Sequence, residues 1–167
     1  PGKKPRRAHV GPSNADIMFI GEAPGFHEDQ QGRPFVGAAG QFLEELLAQI
    51  GLKRQDVFIA NVIKCRPPEN RDPRADEIAM CQPFLTKQID AIEPEVIVTL
   101  GKFAAQTLLG VNRGITRIRG TWYAYRDTPL MPTLHPAYLL RNQSAKGDAW
   151  EDLQMVMEKL NLTDPRE

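Results

Sequence analysis

The 167-residue chain lacks any apolar stretch near the roughly 20 residues that a membrane-spanning helix needs, and no signal-peptide core follows its N-terminus. This excludes an integral helical membrane protein and predicts a cytoplasmic setting. Cysteine is scarce: the two present, Cys65 and Cys81, cannot build the dense disulfide framework of a small secreted scaffold. Net charge is absent too, with 21 basic and 21 acidic side chains, and no single-sign or low-complexity run marks a disordered tail. Neutrality does not exclude a nucleic-acid partner, because phosphate contacts depend on where the cations cluster. They cluster at Lys3, Lys4, Arg6 and Arg7, at Lys64, Arg66, Arg71 and Arg74, and at Arg113, Arg117 and Arg119. An initiating Met is missing before Pro1, which suggests a trimmed or partial chain.

What is present has the grammar of an α/β domain. Ala15 to Gly21 (ADIMFIG) is a short apolar run closed by Gly and followed by the loop GEAPG, a buried strand leading into a turn. Phe42, Leu43, Leu46, Leu47 and Ile50 recur at helical spacing, and Gly51 stops the helix. The pattern repeats in Val57 to Ile63, the polar loop RPPENRDPR and a helix from Ala75 to Ile92, which Pro83 is expected to kink. A third strand at Glu95 to Leu100 precedes Gly101 and the helical KFAAQTLL, closed by Gly110. Ile115 to Tyr125 and Leu130 to Leu134 read as further strands, and Asp148 onward as a closing amphipathic helix. Residues 1–167 therefore form one domain, a parallel sheet covered on both faces, with functional loops at the carboxyl ends of its strands.

Three strand-end segments stand out: GEAPG at Gly21 to Gly25 with RPFVG at Arg33 to Gly37, NVIKCRPPENR at Asn61 to Arg71, and HPAYLLRN at His135 to Asn142. In order, wording and spacing they resemble the family 4, iron–sulfur-containing uracil-DNA glycosylases. The resemblance implies an α/β/α sandwich around a four-stranded parallel sheet, and a base-excision-repair enzyme that releases uracil from single- or double-stranded DNA as a monomer. Such an enzyme must extrude the base, read its edge and stabilise the uracil anion that departs from the sugar.

The segments supply candidates for each task. Phe35 offers an aromatic face for stacking. Asn61 carries both an amide donor and an amide acceptor, as reading uracil O4 and N3–H together requires. His135 matches the family's histidine, which donates to uracil O2 as negative charge grows there. The loop departs from the family 1 pattern: Ala23 stands where that family has the water-positioning Asp, and Gly25 where it has the Tyr that screens out thymine. The resemblance to family 4 instead offers Glu22 and Asn70 as candidates for orienting water, and Glu28 for crowding the pyrimidine C5 position. Tyr138, Leu139, Leu140 and Arg141 combine apolar wedges with a cation, one of the two leucines being expected to face the core. Lys64 and Arg66 are candidates for phosphate contacts.

On their own, Cys65 and Cys81 read as buried thiols. The family resemblance instead implies that they are two of the four thiolates of a 4Fe-4S cluster, whose other two come from an upstream Cys-x-x-Cys pair that these 167 residues do not contain; the alternative is a version that has dispensed with the cluster. The cluster's implied role is structural, with none in the chemical step. The competing reading is a non-catalytic DNA-binding module related to segments of phage-type DNA polymerases. Retention of Phe35, Asn61 and His135 together argues against it.

Overall fold

Two runs of the sequence are apolar at every position but the last or next to last, IMFIG and VIVTL, and both are buried throughout. A strand with both faces covered requires this, since alternate side chains leave for opposite layers. The computed structural model describes residues 16–22, 38–62 and 75–160, with the backbone alone for 38–39 and 75–81. In chain order the elements are β1 (Ile17–Gly21), α1 (Ala38–Gln49), β2 (Phe58–Asn61), α2 (Ala75–Ile92), β3 (Val96–Leu100) and α3 (Lys102–Leu109). They continue with α4 (Ile115–Ile118), β4 (Tyr123–Tyr125), β5 (Thr128–Thr133), α5 (Pro136–Arg141) and α6 (Lys146–Leu160). Among the described residues no helix is long and apolar enough to cross a membrane.

The sheet order is β2-β1-β3-β5-β4. The first four strands are the parallel set expected; β4 adds an antiparallel edge through a hairpin on β5. Arg126 and Asp127, both at positive φ (48° and 71°), make its two-residue turn, the conformation whose twist matches the flanking strands. Pro132 lies within β5, where a missing N–H would normally break a ladder. Its carbonyl accepts from Gly120 N at 3.2 Å, so its nitrogen also points away from β3, and no bond to that neighbour is lost.

Alternation sorts the core into two layers. Ile17, Phe19, Val96, Val98 and Met131 pack under α1, α5 and α6, through Leu43, Leu47, Leu139, Leu153 and Val156. Met18, Ile20, Ala60, Ile97 and Leu130 pack under α2 and α3, through Leu85, Ile89, Ala104 and Leu108. Each fully buried Val, Leu, Ile, Met or Phe among them contributes roughly 1.5–3 kcal/mol. One sequence expectation is corrected. Ile115 to Tyr125 is not a single strand: Ile115 and Ile118, three apart, seat the short helix α4, with Ile118 fully buried, and only Tyr123–Tyr125 is extended.

Candidate active site

The carboxyl ends of three of the four parallel strands, β1, β2 and β5, carry the described candidates. Gly21, ending β1, is paired with Asn61, ending β2, and Val62 N donates to Gly21 O at 2.9 Å. Half-buried Glu22 follows immediately. Next across the sheet β3 ends at Leu100, just before Gly101, and β5 ends two residues before His135. With strands spaced about 4.8 Å apart, the backbones of β2 and β5 stand roughly 14 Å apart, room for a planar ring with a side chain on either side.

Asn61 is only 6% exposed. Strand alternation points it to the same face as its β1 neighbour Gly21, whose lack of a side chain leaves space beside the carboxamide. Asn61 Oδ1 is buried and has no hydrogen-bond partner; among the described residues the only other such side-chain atom is Thr99 Oγ1. A buried orphan acceptor costs about 1–3 kcal/mol, which a ligand donor would recover.

His135 is the N-cap of α5, with Pro136 at the first helical position, where a missing N–H costs nothing. Its Nδ1 accepts from Ala137 N at 3.0 Å. A backbone N–H can only donate, so Nδ1 is the acceptor and the neutral ring carries its hydrogen on Nε2. One side of the ring rests on Gly101: a Cβ built there would lie 3.1 Å from His135 Cβ and 3.4 Å from Cδ2. Gly101 also has φ of 91°, so both conformation and contact demand glycine there.

Helix α5 separates the two leucines. Leu139 is fully buried in the core beneath α1, so its side chain cannot enter DNA, and that assignment is corrected. Leu140 and Tyr138 are exposed (38% and 41%), and Arg141 is exposed in the last turn. Phe35, Ala23, Glu28, Asn70, Lys64, Arg66 and Cys65 lie outside the described residues, and Cys81 is described only by its helical backbone position in α2.

The third basic cluster does not stay together as a solvated group. Arg113 and Arg117 are exposed, but Arg119 turns inward onto Asp152, with Nη2 2.7 Å from Oδ1 and Nε 3.1 Å from Oδ2. This hydrogen-bonded carboxylate holds the Arg119 guanidinium above its ordinary pKa. Sequence reasoning missed both Asp152 and the seat that Gly101 provides; the glycine between strand and helix was the one signal available. A cavity of about 640 Å³ lies at the opposite, amino end of the sheet, lined by residues such as Ile89, Glu93, Val96, Arg126 and Leu160.

Residues 8–154 match the family model of the uracil DNA glycosylase superfamily. The type-4 uracil-DNA glycosylase of Sulfurisphaera tokodaii is 46% identical over 157 residues, covering 89% of this chain and 71% of that protein. That of Saccharolobus solfataricus is 48% identical over 160 residues, covering 90% and 74%. That of Thermotoga maritima is 50% identical over 141 residues, covering 81% and 72%. With a match across most of its length and relatives this similar, the chain belongs to the uracil-DNA glycosylase superfamily and, within it, to the type-4 uracil-DNA glycosylases.

Proposed function

We propose that this protein is a uracil-DNA glycosylase of base excision repair, hydrolysing the bond between uracil N1 and deoxyribose C1′ to release uracil and leave an abasic site. The observation that carries this reading is the buried, unpartnered Oδ1 of Asn61 at the strand ends. Uracil N3–H donates to that oxygen while the Asn61 amide donates to uracil O4. Cytosine presents an acceptor at N3 and an amino group at C4, the reverse pattern. As the glycosidic bond breaks, its electron pair passes into the base, and His135 Nε2–H donates to O2 where the charge gathers. A donor already fixed in place loses nothing to reorganisation in the transition state.

The remaining roles follow the same reading. Phe35 stacks on the extruded base, Ala23 lines its pocket and Glu28 closes the C5 side. Glu22 and Asn70 orient the water whose oxygen joins C1′. Lys64, Arg66 and Arg141 hold phosphates, while Tyr138 and Leu140 fill the space that the base leaves in the stack. Cys65 and Cys81 serve as two of the thiolates of a 4Fe-4S cluster that braces the loop between them, and the enzyme acts as a monomer on single- or double-stranded DNA.

The test is release of free base from an oligonucleotide containing one uracil, beside an identical strand with thymine. Release of uracil but not thymine is the expected result. A folded protein that binds both strands and releases neither base overturns the assignment.

A further inference from the structure

Resting on the glycosylase reading, we propose that Asp152 and Thr133 form a positioning device for His135, setting the angle at which its Nε2–H meets the base. Asp152 lies on α6 with no exposed surface. Its carboxylate accepts from Thr133 Oγ1 at 2.5 Å and from Arg119 through both Nε and Nη2. Arg119 Nη2 also donates to Asp148 O at 3.2 Å, and Glu151 stands 3.9 Å away, so the guanidinium is tied to α6 at three points. Gly120, at φ of 73°, packs so closely that a Cβ there would lie 2.9 Å from Asp152 Oδ1. One carboxylate thus gathers the end of β5, the turn after α4, and α6.

The gathered strand end leads to the catalytic ring by two routes. Thr133 precedes His135 by two residues, so its hydroxyl bond fixes the backbone from which the imidazole projects. The Thr133 carbonyl also accepts from Gly101 N at 2.9 Å, and Gly101 is the surface on which the ring rests. Moving Thr133 therefore shifts the root of His135 and its seat together.

Stability alone does not explain a charged group here. Apolar side chains of similar volume in place of a buried ion pair are often neutral or stabilising, whereas breaking such a pair is costly. What the polar arrangement adds is direction, since a hydroxyl aimed at a fixed carboxylate holds a strand end in one orientation. Misplacement of a catalytic group by about 1 Å can cost on the order of 100-fold in rate.

Thr133→Val keeps the branched side-chain shape and replaces the hydroxyl with a methyl group. It is to be measured by single-turnover uracil release in the parent and in a His135→Ala background, with the His135 ring nitrogens followed by 15N NMR. The expected result is a loss of about tenfold in the parent, little further loss in the His135→Ala background, and a mixed or broadened Nε2–H tautomer signal. Thr133→Ser, which restores the hydroxyl, should return both readouts to parental values. Equal losses in the two backgrounds, or an unchanged imidazole spectrum, would overturn the proposal. Should Thr133→Val fail to fold, Asp152→Asn takes its place under the same criteria. A parent that releases no uracil counts against the glycosylase assignment alone, because the imidazole spectrum still decides the positioning role.

Discussion

The two ends of the sheet handle polar groups in opposite ways. The amino end has a roomy cavity of about 640 Å³, yet its charges stand in water and answer one another: Arg126 Nη1 lies 3.3 Å from Asp90 Oδ1, with the two side chains 56% and 64% exposed. At the carboxyl end several of the described polar groups are withdrawn from solvent. Asn61 Oδ1 is buried without a partner, His135 is bonded to the start of its own helix, and fully buried Asp152 is bonded to Thr133 and Arg119. A desolvated polar group without a partner marks a candidate site, because folded proteins leave few buried polar groups unsatisfied. It coincides with the strand ends at which parallel α/β sheets place ligands.

That contrast is tested most severely at His135. Replacing it with Ala should lower the single-turnover rate of uracil release by about 100- to 1,000-fold, the usual loss for one donor to a developing anion, with binding of uracil-containing DNA much less affected. Asn61→Ala comes next. If the carboxamide reads the base, kcat/KM for uracil falls roughly 10- to 100-fold, corresponding to about 1–3 kcal/mol of recognition, while the melting temperature barely moves, since Oδ1 makes no internal bond. A variant that kept its activity but melted much earlier would make Asn61 a structural residue, and the distinction between the two ends would weaken.

How much of this was legible in the sequence depended on how local the cause was. The strands β1 and β3 and the helix α3 followed from continuous apolar runs and from Gly110, which adopts the left-handed C-cap. The segment from Ile115 misled because its β-branched residues suit a strand, whereas their burial is set by packing on β5 and the core. Leu139 and Leu140 were indistinguishable because a six-residue helix is too short for periodicity to define a face. Asn61 and His135 were visible through motif wording and chemistry. Asp152 was not: it lies 19 residues from Thr133 and 33 from Arg119, and in the sequence it is one more acid on an amphipathic helix.

The smallest expected effect belongs to the amino end. Asp90→Ala removes the carboxylate facing Arg126, and both side chains are more than half exposed. Solvent screens such a pair, so unfolding free energy should change by less than about 1 kcal/mol, as measured by urea denaturation. Uracil release should equal that of the parent within error, because every described group assigned to the chemistry lies at the other end of the strands. A substantial fall in rate without a fall in stability would mean that the cavity communicates with the site along β3 or β5, which begin beside it and end one residue before Gly101 and two before His135. The sheet would then be a lever between two functional ends, and the withdrawn polar groups at the carboxyl end would account for only part of the activity.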